Sequence, residues 1–455
     1  MVRYVNCSNL GDAMTIAHQI YDASRGIMDG KLDPKSAEEI KKRLVDSLFV
    51  AYGARNAEPI RIAKATLLPS SGKLNSRVYF SDARASVDVA TFINGSMTRY
   101  LDYNDTYLSK EALHPSDNIP PLLCYADAMG IDGATLVRAI GVAYQTVCSL
   151  ADAVSIRDRG WDHVTYDSIS AAAGLAALLG LPENKFVHTI NLALNNNISM
   201  RQTRAGELSM WKGCTAANAA RNSVFAAMLA SNGMTGPAPI FEGEMGFFKQ
   251  VSGDFGLDIG PDRIQKTMIK NYPVEYHAMS SVEAALSIRG RLRGEILGID
   301  VETFSVANKI IIKDPEKRRP KTRETADHSM PYIIAYTLLN GAPAPTSYDE
   351  RYMTDKDILG LIDKMSFIVT ERFDAMYPEY LPIKITAHTK GGDVSDEVEV
   401  PKGHFKKPYT WDDLRDKGMR IIGSAEAVDS ILDLGRRIDK ASASEMFEVI
   451  SNVDT

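Results

Sequence analysis

Apolar residues recur at helical spacing through the first half of this chain. From Lys35 to Tyr52, Ile40, Leu44, Leu48 and Val50 stand between charged positions, which predicts an amphipathic helix. Ser86–Leu101 repeats the pattern, and Pro120-Pro121 open an apolar helix over 122–129. Residues 134–154 predict a long apolar helix. The alanine-rich stretch 169–181 predicts a buried one, with Asp167 or Ser168 as its cap and Gly180 and Pro182 at its end. Thr215–Asn232 predicts another, closed by Gly233. Alternation with period two is rare before residue 260.

The pattern changes near Gly260-Pro261. Ser280 and Glu283 have capping-box spacing for a helix running to about Arg293. Residues 303–313, with Val306, Ile310, Ile311 and Ile312, read as β-rich. Asp327 or Ser329 is placed to cap a helix with Pro331 in its first turn and Gly341 at its end. Lys384–Thr389 and Val394–Val400 predict two strands joined by Lys390-Gly391-Gly392-Asp393. Helical pattern returns after Pro408. The expected fold class is mainly α. Residues 1–265 with 409–455 make a large all-helical domain, and 266–408 a smaller α+β lid domain.

Composition narrows the function. The 455 residues are 45% hydrophobic and 24% charged, an ordinary globular balance of a size that suggests two or three domains. A net charge of -6 offers no broad basic face, so nucleic acid is not an expected partner. The N-terminal run Met1–Cys7 lacks an apolar core, and 169–181 is too short to span a bilayer, so neither signal peptide nor membrane anchor is expected. Cys7, Cys124, Cys148 and Cys214 are scattered, which points to a reducing cytoplasm and offers no spacing for an iron–sulfur cluster. No His-Glu-x-x-His or P-loop is present. An EF-hand beginning at Asp102 would need glycine and glutamate where Tyr107 and Leu113 stand. No cofactor and no metal are therefore expected, and the chemistry is assigned to side chains.

The richest segment is 101–118: Leu101-Asp102-Tyr103-Asn104-Asp105-Thr106, a short insert, then His114-Pro115-Ser116-Asp117-Asn118. A carboxylate and an imidazole this close can take a proton from a carbon acid and return one to a leaving group. His163 precedes the alanine-rich helix, where polar groups on a loop often line a pocket. Lys212 precedes the 215–232 helix, whose N-terminus favours anions, and Arg201 and Arg204 upstream add guanidinium forks for carboxylates. His277, seven residues after Lys270, falls at the domain junction, a common place for ligands. Asp327-His328-Ser329 reads first as a helix start. His404 reads as part of a basic loop, and His18, His188 and His388 belong to no constellation.

These segments together resemble the MmgE/PrpD family across nearly the whole chain. The matching blocks are Lys42–Ser47, Asn94–Asn118, Gly160–Thr165, Trp211-Lys212, Thr235–Pro237 with Phe241–Gly243, Tyr272–His277, and Thr325–Ser329 with Pro331-Tyr332. The resemblance implies a homodimer with its active site in a cleft between a helical and a lid domain. It implies a cofactor-free lyase acting on tricarboxylates, with Asp102, His114, His163, Lys212 and His277 as pocket residues. Tyr103, Arg201, Arg204 and Lys270 are expected to contact the substrate. Family activities include dehydration of 2-methylcitrate and decarboxylation of cis-aconitate. The longer insert before His114 and the Asp117-Asn118 ending resemble the dehydratase branch, and Met279 stands where the decarboxylase branch has a histidine nearby.

Removing a proton next to a carboxylate builds negative charge that preorganised cations must meet. Lys212 with Arg201 or Arg204 is expected to supply them, with Asp102 or His163 as base and His114 or His277 as acid. A helical scaffold without catalysis is the contrasting reading. A decayed site would have lost polar residues, and all five are present.

Overall fold

The computed structural model describes residues 14–260 and 263–454. The expectations placed on Met1–Cys7 and on Pro261 lie outside these residues. The fold is mainly α with a smaller α+β part.

Helices Pro34–Ala54, Val87–Tyr100, Ile119–Met129, Gly133–Ala153, Val164–Leu178, Glu183–Asn195 and Thr215–Ser231 pack side by side. Every position of Val164–Leu178 is buried. That suits its run of alanine, serine and glycine, which lets neighbouring helices come close: a methyl on Gly174 would stand 3.0 Å from the Ala143 methyl. Gly133–Ala153 is long and apolar enough to cross a membrane, yet 83% of its most apolar window is buried inside the fold. The last helices, Trp411–Ile422, Ala425–Arg437 and Ala443–Ser451, send Leu414, Val428, Ile431 and Phe447 into the same core as Leu44, Val45 and Phe49.

A separate apolar core gathers Val282, Ile288, Val301, Ile334, Ile362 and Ile385 around one four-stranded sheet. Its strand order is Met365–Val369, Ile296–Thr303, Ile383–Thr389, Gly392–Val398. The first pair is parallel, with Ile299 opposite Met365, and the others are antiparallel. The expected hairpin is present, with Ile383 opposite Val398 and Thr389 opposite Gly392. Ile383–Thr389 alternates buried and half-buried, as a strand with one covered face should.

Three local expectations are corrected. Residues 303–313 are not β-rich: the strand is Ile296–Thr303, and Ser305–Ile311 is a helix. The β-branched residues there misled, because Ala307 and Ile311, four apart, supply its buried face. Ser280 and Glu283 form no capping box, since Ser280 Oγ donates to the Leu381 carbonyl and Glu283 accepts from the Lys402 N–H. The alanine-rich helix starts at Val164, ahead of Asp167 and Ser168, and Asp162 accepts its first N–H at 3.2 Å. Ser329 does cap its helix, accepting from Tyr332 N–H at 3.1 Å.

Candidate active site

A cleft lies between the helical residues and the sheet-bearing part. Its walls carry Arg99, Arg157, Arg201, Arg204, Lys270 and Lys317 against three acids, Asp102, Glu111 and Glu275. In a chain of net charge -6 this is a concentrated cationic site. Among the described residues, neither Arg201 nor Lys317 has a carboxylate within 4.0 Å. Both remain available to an anion.

The 101–118 segment reaches the cleft by a tight route. The Val87–Tyr100 helix ends, and Asp102 adopts a left-handed φ of 50°, which aspartate tolerates better than most residues. Thr106 and Met268 exchange N–H···O bonds of 2.8 Å, tying this segment to the one that carries Lys270. Tyr107–Leu108 then pairs with Ala112–Leu113 and delivers His114 to the wall. Asp102 is fully enclosed by cations. Arg99 bonds one carboxylate oxygen, and Lys270 Nζ lies 3.2 Å from the other and 2.8 Å from its carbonyl. Burial alone would raise its pKa, but Lys270, Lys212 and Arg99 outweigh it and hold the carboxyl well below its ordinary range.

Four histidines line the cleft, each with Nδ1 close to an oxygen of its own segment. His114 Nδ1 donates to the Asp105 carbonyl at 2.7 Å. His163 Nδ1 meets Asp162 at 3.2 Å, His277 Nδ1 meets Glu275 at 2.7 Å, and His328 Nδ1 meets Asp327 at 2.5 Å. An N–H committed at Nδ1 leaves Nε2 of the neutral ring as the basic atom. His163 Nε2 is buried without a partner, His114 Nε2 stands 3.9 Å from Asp102, and His277 Nε2 meets the Tyr377 hydroxyl at 3.2 Å. Burial, then Arg99 and Lys270, hold His114 well below the usual imidazole range. Burial and Arg204 do the same to His163, and burial and Lys212 bring His328 to about 4. His114, His163 and His328 are therefore uncharged at neutral pH.

The acids behind the rings are ionised. Burial opposes it, but Arg204 and His163 bring Asp162 to about 2, and His277 with His328 and Lys270 brings Glu275 to about 2. Arg204 Nε lies 2.9 Å from Asp162. Asp117 and Asp167 behave oppositely. Burial lifts Asp117 to about 7 and, with Asp117 and Asp162 nearby, lifts Asp167 well above the carboxylate range. Two sets have ligand atoms within metal-sharing distance of one another, Asp102–Asp327–His328 and Asp117–His163–Asp167. Around the first, Lys212, Lys270 and Arg99 already supply positive charge.

Of the sequence candidates, Asp102, His114, His163, His277, Arg201, Arg204 and Lys270 all line the cleft. Lys212 does not. It stands behind the wall, its ammonium 3.0 Å from Asp327 and 3.1 Å from His328 Nδ1, so it anchors a neighbour instead of facing an anion at the helix start. Tyr103 also lies outside the wall. Its hydroxyl donates to the Asn271 carbonyl at 2.8 Å, and its ring lies under Lys417. Sequence reading missed His328 with Asp327, Glu275, Asp162, Arg99 and Lys317. A signal existed for several: an acid one or two positions before a histidine recurs in Asp162-His163, Glu275-Tyr276-His277 and Asp327-His328.

Residues 27–260 match the MmgE/PrpD N-terminal domain, and residues 272–437 match the MmgE/PrpD C-terminal domain. An alkylcitrate dehydratase from a fungal species is 32% identical over 359 residues, covering 70% of each chain. The 2-methylcitrate dehydratase of Escherichia coli (strain K12) is 28% identical over 347 residues, 70% of this chain and 71% of that one. A mitochondrial 2-methylcitrate dehydratase of Yarrowia lipolytica is 27% identical over 377 residues, 76% of this chain and 71% of the relative. By these matches along its two parts, the chain belongs to the MmgE/PrpD family.

Proposed function

We propose that this protein is a hydro-lyase, a citrate-type dehydratase that converts 2-methylcitrate or a related alkylcitrate to the corresponding enoate by general acid/base catalysis. The observation that carries the reading is the pairing of a cation-rich cleft with four imidazoles, each with Nδ1 within 3.2 Å of an oxygen of its own segment. A trianion would take its charge balance from Arg201, Lys317 and Arg157. Lys270 and Arg99 hold Asp102 in place and meet charge that develops on the carboxylate next to the reacting carbon.

His163 is the base in this reading. Its Nε2 is unpartnered, and Asp162 steadies the imidazolium once it forms. Arg204 weakens that base. A bound carboxylate beside Arg204 would offset its field and raise the basicity of His163 when substrate is present. His277, backed by Glu275 and touched by Tyr377, acts in its imidazolium form and passes its Nε2 proton to the departing hydroxyl, returning to the neutral ring. Asp102 is reassigned from base to electrostatic anchor, because a carboxyl held so far below its ordinary range is a poor proton acceptor. Neutral His114, its basic Nε2 toward Asp102, is a second acceptor and not the resting acid.

The test is turnover of 2-methylcitrate, citrate and a longer 2-alkylcitrate, read as enoate absorbance in the ultraviolet. Enoate from at least one of them is expected. Carbon dioxide from cis-aconitate, with no enoate from any of the three, would overturn the reading in favour of decarboxylation.

A further inference from the structure

A second hollow opens beside the first. Its walls are Arg157, Arg201 and Arg204 on the helical side and Val306, Lys309, Ile310 and Lys313 on the lid side. Arg157, Arg201, Arg204 and Ile310 belong to both hollows, so the two adjoin across these side chains. The lid contribution follows from helix geometry: 306, 309, 310 and 313 are spaced by three and four, which places them along one face of Ser305–Ile311 and the turn after it. Five basic residues here face two acids, Asp158 and Asp314.

One of those acids is lightly held. Lys309 Nζ lies 2.7 Å from Asp158, but both side chains are more than 60% exposed, so water competes strongly for the pair. Lys313 is exposed, and among the described residues it has no carboxylate within 4.0 Å. Lys309 and Lys313 therefore present mobile, strongly hydrated charges at the outer end, while the arginine forks stand deeper along the same wall. That order suits capture of a multiply charged carboxylate followed by its transfer inward.

We propose that this outer cleft is a landing subsite for di- and tricarboxylate anions, in which Lys309 and Lys313 speed entry and Arg201 passes the anion to the inner cleft. The inference rests on the tricarboxylate reading of the inner site. Lys309 would exchange Asp158 for the incoming anion and re-form the bridge once the anion has moved on. Steering of this kind raises association rates and falls steeply with salt.

The test uses the intact protein and tricarballylate, a tricarboxylate with no hydroxyl to lose. Association and dissociation rates are measured by stopped flow in the cold across a range of ionic strengths, for wild type, Lys309→Gln/Lys313→Gln and Lys313→Glu. The double variant is expected to associate about fivefold more slowly at low salt. Its salt dependence should be flatter and its dissociation rate unchanged, and charge reversal should slow entry further. Binding with association rates and salt slopes equal to wild type would overturn the subsite while leaving the inner site intact. No binding of tricarballylate by wild type would overturn the tricarboxylate reading and the subsite with it.

Discussion

Lys417, on the helix Trp411–Ile422, is fully buried and outside the cleft wall, yet it reaches the residue after Asp102. Its ammonium lies 2.5 Å from Asp46 Oδ1, 2.9 Å from the Tyr103 carbonyl and 3.9 Å from the centre of the Tyr103 ring. Lys417→Met keeps the bulk and removes the charge, leaving Asp46 buried without its counter-ion. Removing one partner of such a pair costs about 3–5 kcal/mol. Burial raises Asp46 to about 6 and lowers Lys417 to about 8, each against the pull of the other. The signs follow from linkage. The raised Asp46 value gives stability below its unfolded pKa near ~4 that is lost as pH rises through 6. The depressed Lys417 value gives stability above its unfolded pKa near ~10 that is lost as pH falls through 8. Between 6 and 8 the ionised pair is at its least favourable. Removing both charges with Lys417→Met/Asp46→Leu should therefore restore stability to within ~1 kcal/mol of wild type or exceed it. Activity should not recover, because the Tyr103 carbonyl, one residue from Asp102, still lacks its donor. A loss of about tenfold or more in kcat is expected in both variants. Urea unfolding at pH 7 and kcat per folded molecule read the two effects separately. A double variant with full kcat, or one as unstable as Lys417→Met, would refute this reasoning.

Other perturbations have definite expectations. His163→Ala should lower kcat by about 10²–10⁴ with little change in binding of tricarballylate, read by calorimetry. Lys212→Met removes the cation held between Asp327 and His328 and should cost about 3 kcal/mol in urea unfolding as well as activity. Glu275 falls from 4.5 to about 2 on folding, so its stability is complete above pH 4.5 and is lost as pH falls toward 2. Glu275→Gln should flatten the acid limb of an unfolding curve in that window. Gly403 has a φ of +90°, and a methyl there would fall 1.9 Å from the Ile269 carbonyl, next to Lys270. Gly403→Ala should lower the melting temperature by several degrees, the equivalent of ~1–3 kcal/mol.

Much of this architecture is legible in the chain because its helices are amphipathic or alanine-rich and end in recognisable signals. Gly233 after 215–232 and Ser329 before Met330 are examples. The sheet was harder. Ile296–Thr303 carries glycine, aspartate and glutamate among its apolar residues, whereas the β-branched run just after it is helical because its apolar positions also fit a period of four. At the site, His114, His163 and His277 were found, while Asp162 and Glu275 beside them, Arg99 and Lys317 were missed, because only the fold shows what they pair with or face. Lys212 looked like an anion ligand because its partner Asp327 lies 115 positions away. Lys417 lies in a stretch read only as helical pattern, and nothing local marks it as the buried partner of Asp46. Such ion pairs exist only once the tertiary fold has formed.

The most direct measurement is turnover of 2-methylcitrate by chelator-treated protein, followed as enoate absorbance, with His163→Ala in parallel. The account predicts enoate formation by the wild-type protein at the same rate with and without chelator, and a loss of at least about a hundredfold in His163→Ala. Undiminished turnover by His163→Ala, or no enoate from the wild-type protein, would contradict it.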